Sequence, residues 1–191
     1  MRIEGEVVDR ARDLLGRRLT VGEVSVVITE VEAYGGVLDP ASHAFVRTPR
    51  SEIMYGPAGR LYVYRIHGHH CANIVTGPTD EAAAVLLRAG RVVDGHDVAR
   101  ERRPGVPDTA LARGPGNLTR ALAITMEHKG LEVIDPASPV RLGDRDDVPA
   151  GDVTAGPRVG VRLAADVPWR FWLSDPGSLP TVSAYRRHPK A

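Results

Sequence analysis

The stretch Val21-Gly22-Glu23-Val24-Ser25-Val26-Val27-Ile28-Thr29-Glu30-Val31-Glu32-Ala33-Tyr34 decides how the rest of the chain is read. It is rich in valine, interleaves acids with apolar residues, and reads as one or two extended strands. Side chains two apart on an extended segment project from one face, so Glu32 and Tyr34 share a side. Gly35-Gly36 follows as a turn. A carboxylate at a strand end beside a loop is well placed for general-base chemistry. The same pattern also fits a surface glutamate next to a rim tyrosine.

On the N-terminal side, Ile3, Val7, Val8, Ala11, Leu14 and Leu15 recur at helical spacing and Gly16 supplies a stop. On the other side, residues 35–57 have little periodicity and many turn residues, which predicts a long surface loop; loops of that length in compact domains are usually functional. Residues 61–75 are β-branched and aromatic, as in a strand or hairpin. Residues 81–93 fit a strand or a buried helix, and periodicity alone does not decide. A short helix is expected over 96–102. Asn117 is expected to cap another that runs to Ala123. Residues 131–134, 140–142, 159–163 and 170–173 read as short strands, and 185–191 as a loose polar tail. These elements predict an α+β fold, one compact domain over residues 1–191, with a mixed or mostly antiparallel sheet and flanking helices.

The bulk numbers agree with one domain: 191 residues, 42% hydrophobic, net charge +1. No apolar run approaches the roughly 20 residues that span a membrane, and the N-terminus lacks a signal-peptide apolar stretch. With Cys71 the lone cysteine, no internal disulfide forms. An intracellular, cytoplasmic protein is the expectation. The near-zero charge lacks the basic excess common in nucleic-acid binders. Lys129 and Lys190 are the only lysines; all other basic residues are arginine, which suits bidentate phosphate contacts but is also what a genome rich in G and C produces.

Three constellations bear on chemistry. Tyr62 and Tyr64 repeat the two-apart pattern of Glu32 and Tyr34; with Tyr34 they could wall a planar ligand such as an unstacked base, or pack a core as half-buried strand aromatics. The run His67-Gly68-His69-His70-Cys71, with His43 and Glu32, has zinc-ligating side chains but no ordered ligand spacing, and equally fits an exposed hairpin tip. Arg88 closes the apolar run Val85-Leu86-Leu87, as an edge charge or a partner for an anion. No Walker loop, dinucleotide fingerprint or Gly-x-Ser-x-Gly elbow is present. Two readings stand at this point: a metal-dependent hydrolase built on the histidines and Cys71, and a non-catalytic binder of damaged or single-stranded nucleic acid.

Taken in order, Val31-Glu32-Ala33-Tyr34-Gly35, Asp39 with His43, Thr48-Pro49-Arg50, Met54, the block Leu61-Tyr62-Val63-Tyr64, Asn73-Ile74-Val75, Val85-Leu86-Leu87-Arg88-Ala89, Gly114-Pro115 and Arg158-Val159-Gly160 resemble the alkyladenine (3-methyladenine) DNA glycosylases. The likeness runs from about residue 10 to about residue 175. It implies a curved sheet with a protruding DNA-inserting β-hairpin. It also implies a base-excision DNA repair hydrolase that acts as a monomer on double-stranded DNA containing damaged purines, with no cofactor and no metal. Such an enzyme flips out alkylated or deaminated purines, 3-methyladenine and hypoxanthine among them, and hydrolyses the N-glycosidic bond.

By the same resemblance, Glu32 deprotonates the attacking water. Tyr34 and His43 cover one face of the flipped base and Tyr64 the other, and the His43 backbone amide reads the base edge. Asn73 clashes with the 2-amino group of normal guanine. Arg88 supports the water site and the flipped nucleotide. His67 stands at the tip of the inserting hairpin, where the family usually has a tyrosine, and the stretch 68–73 is one residue shorter than the family pattern. Neither lysine is near these residues in sequence, which favours a water mechanism without a strand-cleaving lyase step.

Overall fold

The computed structural model describes residues 3, 5–145 and 153–183. The stretch quoted above becomes the end of β1 (Arg17–Val21) and the whole of β2 (Val24–Tyr34), an eleven-residue strand buried along all but its last residue. Helix α1 (Val7–Leu14) precedes them, shorter than its periodicity suggests, and buries Val7, Ala11 and Leu14. Gly16 follows at φ +79 and donates its N–H to Ile28 O, so the expected stop also pins the helix end to β2.

The remaining strands are β3 (Leu61–Ile66), β4 (His69–Val75), β5 (Ala84–Asp94), β6 (Val140–Arg145), β7 (Val153–Gly156) and β8 (Arg170–Leu173). They join one eight-stranded sheet in the order β3-β4-β5-β2-β1-β6. β2 is its hub: β5 pairs along one edge, while the other edge carries β1 over its first half and β8, with β7 beyond, over its second. Every strand pairing among the described residues is antiparallel, so no mixed sheet forms. Residues 61–75 form a hairpin, and residues 81–93, ambiguous in sequence, form a strand. Helix α2 (His96–Arg102) lies where expected, and α3 (Pro115–Ala121) packs on β4 and β5. Among the described residues no helix is long and apolar enough to cross a membrane.

Four local expectations are corrected. Asn117 is not the cap of α3: Gly114 caps it and Pro115 begins it, because a proline's fixed φ and missing N–H suit the first helical position. Asn117 instead donates to Arg113 O within the first turn. Residues 131–134 make only one bridge, Arg60 to Glu132, and turn. Residues 159–163 are irregular, between Gly160 at φ +74 and Ala164 at φ +47. Residues 35–57 are no simple surface loop. Gly36, Asp39, Ser42, Ala44, Ser51, Met54 and Tyr55 are buried, and Asp39, Ser42 and Ser51 side chains bind the turning backbone. The expected tail, 185–191, lies outside the described residues.

One apolar core, with Leu14, Leu19, Ile28, Val31, Leu87, Leu118, Leu122 and Phe171 among its members, sits between the sheet and the helices. On β2 it takes Val24, Val26 and Ile28, then Val31 and Ala33; on β5 it takes Val85 and Leu87, then Val92. Both strands therefore change parity. The register runs from Ile28–Gly90 to Glu30–Ala89 to Val31–Leu87, skipping Thr29 on one strand and Arg88 on the other. These paired bulges turn Glu30, Glu32 and Tyr34, with Leu86 and Arg88, away from that core. A second, smaller cluster of Ala44, Met54, Tyr55, Tyr62, Val75 and Ala84 holds the 35–57 segment against the opposite face of the sheet.

Gly36 anchors that segment at φ +69, and a β-carbon there would lie 1.9 Å from Ala82 O. Gly36→Ala is expected to lower stability by about 2 kcal/mol or more, measured by urea unfolding, since both the backbone strain and the collision oppose it.

Candidate active site

The face turned outward by the bulges forms the floor of a cavity of about 490 Å³. Glu32, Tyr34, His43, Tyr64, His67, Asn73 and Arg88, the seven residues singled out in the sequence, all line it. They arrive from four places: β2, the 35–57 segment, the β3–β4 hairpin and β5.

Glu32 is fully buried. Its Oε2 accepts a hydrogen bond from Tyr34 Oη at 2.9 Å, and its Oε1 accepts one from the Val159 backbone N–H at 2.7 Å. Arg88 Nη1 stands 3.2 Å from Oε1. Burying a carboxylate costs several kcal/mol unless charge and donors compensate, and these three donors both compensate it and fix its orientation. Burial first, and the adjacent Glu32 charge second, push the Tyr34 hydroxyl well above its ordinary range, so it stays protonated as a donor.

Arg88 is shared between two acids. Its Nε donates to Glu30 Oε1 at 2.8 Å while Nη1 faces Glu32. Glu30, also fully buried, takes further contacts from Arg170 Nε at 3.0 Å and from the N–H and hydroxyl of Ser183 at 2.7 Å each. Two buried carboxylates thus face two buried guanidinium groups. The neighbouring acids raise the Arg88 pKa despite its burial, so its charge is permanent.

Tyr34, His43, Tyr62 and Tyr64 supply the aromatic lining, with His43 beside Tyr64. Tyr34 rises from the floor with the Arg158 guanidinium 4.8 Å from its ring centroid. His43 meets Tyr64 edge-on at 4.6 Å, and its Nδ1 lies 3.0 Å from Tyr62 Oη. Burial, and then the charge of Arg50, push the His43 imidazole down to about 4, which leaves it neutral near pH 7. Asn73 Nδ2 donates to Tyr62 O at 3.0 Å, which fixes the amide on the cavity wall. Cys71 lines the same wall, and burial raises its thiol, so it is protonated near neutrality.

His67 and Gly68 form the two-residue turn of the β3–β4 hairpin, at φ +47 and +80, with Ile66 and His69 as the closing pair. Two positive φ angles match a type I′ turn, which accounts for the glycine. His67 is exposed at this tip. Among the described residues, no three His, Cys, Asp or Glu side chains converge as a metal cage. Lys129 does not line the cavity; its Nζ lies 5.9 Å from the Tyr62 ring centroid. Lys190 falls outside the described residues.

Sequence reasoning assigned no role to the groups that hold the site together. Asp39 and Arg158, 119 positions apart, form a buried bidentate pair. Asp39 also accepts from the Gly35 and Ala41 N–H groups, and Arg158 donates to Ala33 O. This pair staples the 35–57 segment to residues 158–159, and so brings the Val159 N–H onto Glu32. Glu30 and Ser183 were missed for the same reason: no local pattern marks a contact across 153 positions.

The family model described as Methylpurine-DNA glycosylase matches residues 2–176 of this chain. A relative from Nocardia farcinica is 54% identical, over 99% of this chain and 93% of its own length. One from Rhodococcus jostii is 51% identical over 97% and 84%, and one from Mycolicibacterium paratuberculosis 54% identical over 96% and 91%. Each of the three carries the name "Putative 3-methyladenine DNA glycosylase".

Two outcomes test the site's physics. Asp39→Asn leaves the Arg158 charge buried without its carboxylate and is expected to cost about 3–5 kcal/mol in urea unfolding. His43 titrates lower in the folded chain than its ordinary 6.5, so the unfolded chain binds more protons between about 6.5 and 4. Stability from this source is complete above that window and is lost as pH falls through it. The urea midpoint of His43→Gln is therefore expected to drop less between pH 7 and pH 4.5 than that of the wild type.

Proposed function

We propose, for a chain that belongs to the Methylpurine-DNA glycosylase family, that the cavity receives a damaged purine rotated out of duplex DNA and that Glu32 activates the water that replaces it. The chain is a DNA glycosylase for alkylated bases, a hydrolase acting on N-glycosyl bonds, and DNA is its substrate. What the site adds is a set of roles.

A stacked base is out of reach of any side chain, so extrusion comes first, at a cost of roughly a few kcal/mol that is least for damaged or mispaired bases. A cavity of about 490 Å³ lined by Tyr34, His43 and Tyr64 suits a planar bicyclic ring. Cationic 3-methyladenine gains from the electron-rich tyrosine faces, and a neutral His43 presents no like charge to it. The amide of Asn73, fixed on Tyr62 O, offers a rigid obstacle to the 2-amino group of guanine. Hypoxanthine lacks that group and fits the same slot.

As the bond to the base breaks, positive charge grows on the sugar. Among the described residues, Glu32 is the acidic side chain that lines the cavity. It stabilises that charge and accepts a proton from water. Arg88, divided between Glu30 and Glu32, holds the carboxylate in place. Among the described residues no lysine lines the cavity, which favours attack by water over attack by an amine, with the strand left intact. The observation that carries this reading is the fully buried Glu32 carboxylate, held by three donors at the base of an aromatic cavity.

Glu32→Gln is expected to slow release of hypoxanthine or 3-methyladenine by about 10²–10⁴-fold in single turnover, while lesion-containing duplex still binds in a gel-shift assay. Excision by this variant at the wild-type rate removes Glu32 from the mechanism.

A further inference from the structure

One buried acid takes no direct part in the reaction proposed for Glu32. Glu30 is fully buried and does not line the cavity, so it touches neither the base nor the attacking water. Its carboxylate is nonetheless closely held. Oε1 takes Arg88 Nε at 2.8 Å, Arg170 Nε at 3.0 Å and the Ser183 hydroxyl at 2.8 Å, and Oε2 takes the Ser183 N–H at 2.7 Å. A lone Glu32–Arg88 pair would already be neutral. Burying a second acid, with Arg170 to balance it, adds the desolvation of two more ions that neutrality does not require.

The geometry of Arg88 shows what the second acid changes. Its Nε is taken by Glu30, and its Nη2 donates to the Ser183 hydroxyl at 3.2 Å, which in turn donates to Glu30. Nη1 remains for Glu32, at 3.2 Å from Oε1, longer than the roughly 2.7–2.9 Å of a charge-assisted bond. A guanidinium with its fork free grips a carboxylate through two parallel bonds. A carboxylate gripped in that way keeps its charge and accepts protons poorly. Glu32 is spared that grip. The groups facing Glu32 are Tyr34 on its own strand, Arg88 on β5, the Val159 N–H, and Cys71 on β4, which feels its charge. Those facing Glu30 are Arg88, Arg170 on β8 and Ser183.

We infer that Glu30 is a positioning residue for the hydrolytic step: with Ser183 it occupies Nε and Nη2 of Arg88, so that Glu32 meets the guanidinium at one point and stays basic enough to take a proton from water. The inference rests on the reading of Glu32 as the base that activates water. Glu30 also claims part of the guanidinium charge. Arg88 therefore orients and compensates Glu32 without saturating it.

Base release is measured in single turnover across pH on duplex containing 3-methyladenine, with spontaneous loss subtracted. This base carries its positive charge before the bond breaks, so its departure needs no proton and the acid limb of the rate reports the group that activates water. In Glu30→Gln the guanidinium is free to turn fully to Glu32. The rate at pH 7 is expected to fall about three- to tenfold and the acid limb to move to lower pH, while lesion-containing duplex binds as it does to the wild type in a gel-shift assay. His43, pushed down to about 4, titrates at the foot of the limb in both proteins. A slower rate with the limb unmoved marks a purely structural residue and overturns the inference, as does a profile equal to that of the wild type. Ser183→Ala keeps every charge and frees Nη2, so it tests the same assignment where Glu30→Gln does not fold. Its limb is expected to move the same way, and an unmoved limb overturns the inference. A wild type that releases no base sinks the reading of the cavity instead.

Discussion

Everything in this molecule answers to the cost of keeping two carboxylates out of water on one strand. Glu30 and Glu32 are both fully buried, and an uncompensated charge in that position costs several kcal/mol. The compensation reaches far along the chain: Arg88 from β5, Arg170 from β8, the Val159 amide and Ser183. Each partner fixes where its own segment lies. The demand for counter-charge thus ties the central strand to its neighbours on both edges and draws the 157–169 segment over the cavity.

The paired bulges make that arrangement compatible with an apolar core. Unbroken alternation from Val24, Val26 and Ile28 would carry Glu30 and Glu32 into the same interior. Skipping Thr29 on one strand and Arg88 on the other reverses the parity of both at once. The acids then leave the core together with the arginine that serves them. These two neighbouring irregularities separate a hydrophobic face from a polar one along the same two strands.

Much of this was legible in the sequence because it rests on local pattern. The valine-rich alternation gave β2, the two-apart spacing put Glu32 and Tyr34 on one side, and the aromatic block gave the hairpin. The seven residues picked out by family likeness line one cavity. The rest was not legible, because nothing local encodes it. Residues 159–163 look like a strand, but the Val159 N–H binds a carboxylate rather than a ladder partner. Asn117 looks like a cap, but Pro115 starts the helix earlier. Asp39 and Arg158 fall within the family-like motifs, but nothing local shows that they meet until the fold brings them together. Patterns of period two or three and a half report which face is apolar; they carry no information about which distant charge will meet which.

Ser183 gives this architecture a temporal meaning. It grips Glu30 across 153 positions, beyond the residue where the family match ends. Glu30 gains its last donors only when a segment 153 positions further along the chain has folded back onto it. Until then the strand's acids favour contact with solvent over burial. Burial of the strand's acids is therefore completed by a contact that closes the longest loop among those at the site.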